Sequence, residues 1–160
     1  MTQEDKELLL KELCARLPYG VKIELTNKGY HHENIAKRGD KTIDTLKGFT
    51  GKYFTIHHDN PLDWDWADNE IEVEDIKPYL FPMSSITEEK VYEFFCKFVE
   101  NDIPFDDFVT DYWNTNSLNK VLTSIDDVKR VMDWFNENHV DYRRLIDKGS
   151  AVDATGLNIY

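Results

Sequence analysis

The chain of 160 residues is 41% hydrophobic and 13% aromatic, a composition too rich in apolar side chains for a disordered acidic tail. Its 31 acidic residues outnumber its 19 lysines and arginines and give a formal net charge of −12, which argues against binding to nucleic acid phosphates or anionic membranes. The length predicts a single domain over 1–160.

The first segment predicts a helix over about residues 3–16. Thr2 with Asp5 resembles an N-cap with an acid at N3. An apolar stripe with helical spacing follows at Leu10, Leu13, Cys14 and Leu17. This start is not a signal peptide, and no stretch approaches the ~18 apolar residues of a membrane span, so a cytoplasmic location is expected. Cys14 and Cys96 are interpreted as small buried apolar residues.

Four short runs predict an antiparallel sheet over about 20–77. The first run alternates apolar and polar residues, with Val21, Ile23 and Leu25 on one face. The runs 42–49 and 52–58 are separated by a Thr-Gly turn, as in a hairpin. The fourth run has Ile71, Val73 and Ile76 and ends before Pro78. The short connections favour a meander that curls into a small SH3-like partial barrel.

The following half, about 85–149, predicts helices. Apolar residues at helical spacing favour a helix over 87–101, and Pro104 suits the first turn of a shorter one. A third stripe, after Ser124, is formed by Ile125, Val128, Val131, Met132 and Phe135. A sheet-rich part over 1–82 followed by a helical part over 83–149 indicates the α+β class.

The last part of the chain predicts a short helix and a tail. Asp141 is expected to cap the helix, which ends at Gly149 in a left-handed conformation. His139 is assigned to the preceding turn, with Arg143 or Arg144 pairing with nearby acids. Residues 150–160 are predicted to be a loose tail.

Residues 59–75 carry eight acidic side chains and two tryptophans with no lysine or arginine. The wider region 53–119 holds sixteen acids against three lysines, whereas 20–52 has seven bases and four acids. A field of this sign attracts basic proteins or cations. The segment therefore says more about partners than about chemistry.

A calcium site is the first specific interpretation of this segment. Asp63, Asp65 and Glu74 match positions 1, 3 and 12 of an EF-hand loop. Ala67 stands at a ligand position, however, and Asp68 replaces the glycine of the sharp turn. A solvated acidic loop that leads into an edge strand fits the pattern better.

A protein-binding surface is the second interpretation. Trp64 and Trp66 share one face of an extended segment, and Asp63 and Asp65 share the other. Aromatic anchors ringed by acids, here with Asp68 beside them, are typical of surfaces that bind a basic partner. The alternative is that both indole rings cover the end of the sheet.

Two histidine pairs offer a metal-site alternative. His31 and His32, and likewise His57 and His58, precede an acidic residue, which is Asp59 in the second pair. Imidazoles and carboxylates together bind zinc or iron. Adjacent strand residues point to opposite faces, so each pair offers one side chain to a given site and a further ligand is needed.

The sequence contains no Gly-x-Ser-x-Gly nucleophile motif, no glycine-rich phosphate-binding loop and no His-Glu-x-x-His zinc motif. It indicates no cofactor. The leading prediction is a non-enzymatic cytosolic interaction or accessory protein that presents an acidic, tryptophan-bearing surface to a basic protein. A metal-dependent enzyme that uses the histidine pairs and a small-ligand-binding domain are the alternatives.

Three stretches carry a resemblance to a family: KELCARLPYGVK, EDIKPYLFPMSSITEE and DWFNENHVDYRRLIDKGSAVDA. Together they resemble a group of small acidic proteins of gut Bacteroidetes and their phages and mobile elements, a group with no known activity. Its pattern has an arginine at Phe81, a glycine at Arg144 and a leucine at Ser150, so this chain is a divergent member. The resemblance implies a cytosolic bacterial or phage setting and transfers no catalytic residue.

Overall fold

The computed structural model describes residues 1–26, 43–57, 71–99, 104–108 and 125–160. The helices in these ranges are α1 (Gln3–Arg16), α2 (Glu88–Val99), α3 (Phe105–Phe108) and α4 (Ile125–Glu137). The strands there are β1 (Lys22–Leu25), β2 (Ile43–Phe49), β3 (Phe54–His57), β4 (Ile76–Pro82), β5 (Val140–Asp141) and β6 (Val152–Asp153). The fold is α+β, with an N-terminal helix and a small sheet, as predicted. No helix in the described ranges is long and apolar enough to cross a membrane.

Helix α1 begins at the predicted cap. The Thr2 hydroxyl accepts a hydrogen bond from the Asp5 amide at 3.1 Å, and the Asp5 carboxylate accepts one from the Thr2 amide at 3.4 Å. The fully buried face of the helix consists of Leu9, Glu12, Leu13 and Arg16. The predicted helix is confirmed, and its apolar stripe packs with the core: Leu13 is fully buried, whereas Leu10, Cys14 and Leu17 are partly buried at the margin.

The sheet has the strand order β3-β2-β1-β4-β5, and β6 also pairs with β4. Strand β1 is antiparallel to both β2 and β4, and the β2–β3 hairpin is confirmed. A β-bulge interrupts the hairpin register between Leu46 and Gly48. Strands β5 and β6 run parallel to β4.

The fourth strand differs from its prediction. Val73 belongs to a short 3-10 turn, Val73–Asp75, and the strand starts at Ile76 and continues through Pro78 to Pro82. Pro78 lies opposite Ile23 at the last paired position of β1. Proline lacks an amide donor, and it is tolerated where the pairing of a strand with its neighbour ends.

The core lies between α1 and the sheet. Its buried side chains come from α1, all four longer strands and the segments around 73 and 145–151. They are Leu9, Leu13, Val21, Ile23, Leu46, Phe54, Ile56, Val73, Ile76, Leu80, Leu145 and Ala151. Cys14 is half-buried and packs against this core, and burial raises the pKa of its thiol.

Helices α2 and α4 contact each other through aromatic rings. The ring centroids of Phe94 and Trp134 are 5.4 Å apart in an edge-to-face arrangement, and Lys97 lies 3.2 Å from the Glu137 carboxylate. Thr87 stands at the start of α2, where its hydroxyl accepts a hydrogen bond from the Lys90 amide at 3.4 Å.

The predicted last helix is wrong, because residues 142–149 form turns. The capping role of Asp141 is nevertheless present, since its carboxylate accepts hydrogen bonds from the Leu145 and Ile146 amides, each at 2.8 Å. Gly149 has the predicted left-handed conformation, with φ +70°. An aspartate that serves two turn amides stabilises a turn without a helix to follow.

The prediction of a loose tail over 150–160 is also wrong. Strand β6 pairs with Tyr79 and Leu80 of β4, and the Ala154 amide donates to the Leu80 carbonyl at 2.8 Å. Ala151 and Ala154 are buried. The segment is therefore attached along β4.

Candidate functional site

The predicted binding residues Asp63, Trp64, Asp65, Trp66 and Asp68 lie outside the described residues. The structure does describe both ends of the segment that carries them. The segment leaves from β3, which is an edge strand, and returns at Ile71.

A two-way hydrogen bond joins these ends. The Phe54 amide donates to the Ile71 carbonyl at 2.9 Å, and the Ile71 amide donates to the Phe54 carbonyl at 3.0 Å. Phe54 is fully buried, so its main chain is fixed by the core. The described residues on either side of the acidic segment are consequently held together at one edge of the sheet.

The returning chain is then attached to α1 and β1. The Lys6 ammonium group bonds the Glu74 carboxylate, and this contact lowers the pKa of Glu74 and raises the pKa of Lys6. The Asp75 carbonyl accepts a hydrogen bond from the Thr26 amide at 2.8 Å. The acids at this end of the segment therefore include one that already has a cationic partner.

The metal-site alternative falls mostly outside the described residues. This holds for His31, His32, His58 and Asp59, and of His57 the structure describes only the main chain, at the end of β3. Within the described ranges, no group of three or more potential ligand side chains lies together.

A largely buried polar cluster links α1 to the end of α4 and to the chain that follows it. We call it the Arg16 cluster and define it as Glu12, Arg16, Asn136, Tyr142 and Arg143. The side chains of Glu12 and Arg16 are 1% and 0% exposed, and Arg16 Nη2 lies 2.8 Å from Glu12 Oε2. The same nitrogen donates to the Val140 carbonyl at 2.8 Å, and Nη1 donates to the Phe135 carbonyl at 3.2 Å.

The second Glu12 oxygen completes the Arg16 cluster. It accepts a hydrogen bond from the Tyr142 hydroxyl at 3.0 Å and lies 2.5 Å from Arg143 Nε. The Tyr142 hydroxyl is also 3.4 Å from the Asn136 side-chain oxygen. Burial raises the pKa of Tyr142. Both carboxylate oxygens of Glu12 thus bond a cation or a hydroxyl group. A carboxylate with all its partners in place is typical of a structural role and not of proton transfer.

An aromatic contact lies beside this cluster. The His139 and Tyr160 rings are stacked, with centroids 3.9 Å apart and planes at 18°. His139 is 6% exposed, and burial, together with the charge of Arg16, lowers its pKa to about 4. Within the described ranges, its Nδ1 atom has no hydrogen-bond partner.

The Tyr160 hydroxyl is inserted between two strands. It donates to the Tyr79 carbonyl of β4 at 2.7 Å and accepts from the Lys22 amide of β1 at 3.1 Å. The β1–β4 register ends at Ile23 and Pro78, so Lys22 and Tyr79 are the next pair along the ladder. Although 43% of Tyr160 is exposed, burial around this hydroxyl raises its pKa.

The sequence predicted an acidic partner for Arg143 or Arg144, and Arg143 has one in Glu12, but it did not indicate the burial of Glu12 and Arg16 or the attachment of Tyr160. An opposite-charge pair at i, i+4, such as Glu12 with Arg16, normally indicates a solvent-exposed helix face. The available signal was that Leu9 and Leu13 lie at helical spacing with both members of the pair, on the same face of α1. Tyr160 carries no comparable local signal, because its partners are far away in the sequence.

The three stretches that carry the family resemblance meet here. The first supplies Glu12 and Arg16, the second Tyr79 and Phe81, and the third His139, Tyr142 and Arg143. Comparisons with models of protein families, with curated proteins and with solved structures found no match. Function must therefore be inferred from the residues of the chain itself.

Proposed function

We propose that this is a non-enzymatic interaction protein that binds a basic protein partner through Asp63, Trp64, Asp65, Trp66 and Asp68. The observation that carries the proposal is the anchoring of this segment at the edge of the sheet by the Phe54–Ile71 pair. An anchored segment loses less conformational entropy on binding than a free one, so more of its contact energy appears as affinity.

Charge distribution supports the same proposal. Sixteen acids against three bases over 53–119 give the part of the chain that contains this segment a negative field. Such a field accelerates encounter with a basic partner and repels nucleic acids. The tryptophans supply the desolvated aromatic contacts that dominate the energy of many interfaces.

The proposal includes a finer description of the fold. We propose that β1 to β4 form an SH3-like partial barrel, followed by a predominantly helical half. The support for the barrel is that β4 pairs with β1, while Ile71, just ahead of β4, pairs with β3. Both outer strands of the β1–β2–β3 meander thus contact the same stretch of chain, which is how a small sheet closes.

The resemblance supports a cytosolic bacterial or phage setting for the proposed function. Small acidic accessory proteins in that setting frequently act by binding host proteins. That support is contextual, and the residues of the segment carry the chemical part of the proposal.

The test is capture of a partner from a host lysate by the wild type and by a variant with Asp63, Asp65 and Asp68 changed to lysine. We expect the lysine variant to capture no partner. Capture by the wild type should weaken steeply as the salt concentration rises. Trp64→Ala with Trp66→Ala should weaken capture without changing its salt dependence, because it removes aromatic contact and keeps the charge.

A matched control separates the segment from net charge. Changing Glu4, Glu7 and Asp147 to lysine shifts the net charge by the same amount at exposed positions outside 53–119. This variant should capture the partner as the wild type does. Equal capture by both lysine variants and the wild type would overturn the proposal, and circular dichroism establishes that each variant is folded.

A further inference from the structure

We propose that His139 and Tyr160 form an acid-released clasp, in which the neutral imidazole holds residues 152–160, with β6, against β4, and its protonation frees this segment while β1 to β5 stay paired.

The geometry of the clasp concentrates several contacts on one ring. Tyr160 stacks on His139 at 3.9 Å and lies 5.8 Å from the Phe81 ring. Its hydroxyl joins the Tyr79 carbonyl and the Lys22 amide where direct pairing of β1 and β4 has ended. Removing the Tyr160 side chain therefore removes a stacked contact and two hydrogen bonds between its hydroxyl and main-chain groups.

The surroundings of His139 favour its neutral form. From α1, Arg16 presents a fully buried guanidinium whose charge acts on the imidazole. The carboxylate on the same helix, Glu12, is already bonded by Arg16, Tyr142 and Arg143. From the last segment Tyr160 faces the ring, and from β4 the Phe81 amide donates to the His139 carbonyl at 2.9 Å. A second buried cation beside Arg16 is thus opposed by desolvation and by repulsion.

The main-chain conformation of His139 determines which substitution can test the clasp. Its φ of +54° lies in the left-handed region, where a residue other than glycine costs roughly 1 kcal/mol or more. Asparagine tolerates this conformation and does not titrate. His139→Asn therefore removes the titrating group at little backbone cost.

Release is expected to be local because the segment has few attachments. Strand β6 contributes two paired residues, and the Ala154 amide adds one hydrogen bond to Leu80. The other pairings of β1 with β2 and β4 do not involve residues 152–160. Short elements of this kind open at lower free energy than the core of a sheet.

The sign of the pH dependence follows from the depressed pKa of His139. Because the pKa is about 4 with the clasp closed and near 6.5 in the open chain, the open form binds more protons between these values. The stabilisation is fully present above about pH 6.5 and is lost as the pH falls towards 4. Acid thus favours the open form.

The test is amide hydrogen exchange, corrected for intrinsic rates, on the full chain between pH 7 and pH 4. We expect the opening constant at Ala154 to rise on the order of a hundredfold, since each unit of pKa difference contributes a factor of ten. Leu46, whose amide donates to Val21 within the sheet, should change much less. Equal changes at Ala154 and Leu46 would show global unfolding and overturn the proposal.

Two variants complete the test. His139→Asn should open more at pH 7 than the wild type and lose the acid dependence at Ala154; retention of that dependence would contradict the proposal. Tyr160→Leu should also open at pH 7, and the pKa of His139, followed by NMR, should move from about 4 towards its ordinary value. A wild-type His139 that titrates near 6.5 would equally exclude the clasp.

Discussion

The apolar core beneath the β2–β3 hairpin and the Arg16 cluster hold α1 in different ways. The hairpin side buries Leu46, Phe54 and Ile56, each no more than 1% exposed, against Leu9 and Leu13 of the helix. Burial of this kind is non-directional and scales with area. Side chains of similar volume can replace one another there at modest cost.

The Arg16 cluster acts through directional hydrogen bonds and not through buried apolar area. Arg16 donates hydrogen bonds to the carbonyls of Phe135 in α4 and Val140 in β5, which selects one placement of the end of α4 and the strand that follows. Hydrogen bonds require particular distances and angles, and a buried charge without its partner is costly. The core thus supplies stability, while the cluster determines where residues 135–143 dock.

The largest expected effect comes from breaking the ion pair. Arg16→Met leaves the buried Glu12 carboxylate without the Arg16 guanidinium and removes the hydrogen bonds that Arg16 donates to the Phe135 and Val140 carbonyls. We expect a loss of about 3–5 kcal/mol in the free energy of unfolding. Urea unfolding with the slope held fixed measures it.

The double variant Glu12→Leu with Arg16→Met is the control for this prediction. It removes both charges together, and Arg143 is 40% exposed and can turn to solvent. We expect the double variant to be more stable than Arg16→Met alone. If the double variant lost as much stability as the two single variants together, the charges of Glu12 and Arg16 would not compensate each other.

The apolar side gives the next effect in size. Leu46→Ala leaves a cavity next to α1 and should cost about 2–4 kcal/mol. Leu46→Met conserves volume and should cost less than about 1.5 kcal/mol. Neither loss should vary between pH 5 and pH 8, because Leu46 contacts the apolar core. Thermal unfolding at the two pH values checks this.

The same contrast explains what could be predicted from the sequence. The α1 cap, the β2–β3 hairpin and the α+β class rest on local patterns, which act within a few residues. The burial of Arg16 on α1 was not predicted, because charged side chains normally point to solvent. The neighbours that make its burial possible come from residues 135–142, which no pattern near residue 16 reveals.

A smaller effect concerns the Tyr160 hydroxyl. Tyr160→Phe keeps the ring on His139 but deprives the Tyr79 carbonyl and the Lys22 amide of this partner. We expect a loss of about 1–2 kcal/mol, measured by urea unfolding. Tyr19→Phe is the control, since no hydrogen bond of the Tyr19 hydroxyl occurs within the described residues. It should change stability by less than about 0.5 kcal/mol, and equal effects would contradict the bridging role.

The segment 150–160 was mispredicted for a related reason. Its residues after Asp153 are largely exposed and include Gly156, so hydropathy gives little indication of attachment. One ring, Tyr160, fixes its end through main-chain groups of β1 and β4. Interactions of this kind are made with the backbone, and backbone partners leave no trace in the sequence.

The smallest expected effect is a gain in stability. Arg144 has φ +59°, a left-handed conformation. Arg144→Gly removes the backbone strain of about 1–2 kcal/mol but gives the unfolded chain more freedom, so a net gain of about 0.5–1 kcal/mol is expected. Lys11→Gly, at an exposed position within α1, should instead lose about 1 kcal/mol. A loss of stability in both glycine variants would mean that Arg144 makes a contact which outweighs its strained backbone. A gain for Arg144→Gly with a loss for Lys11→Gly would show that the Arg144 side chain does not hold the turn after β5. The turn would then be held by the hydrogen bonds between Asp141 and the Leu145 and Ile146 amides.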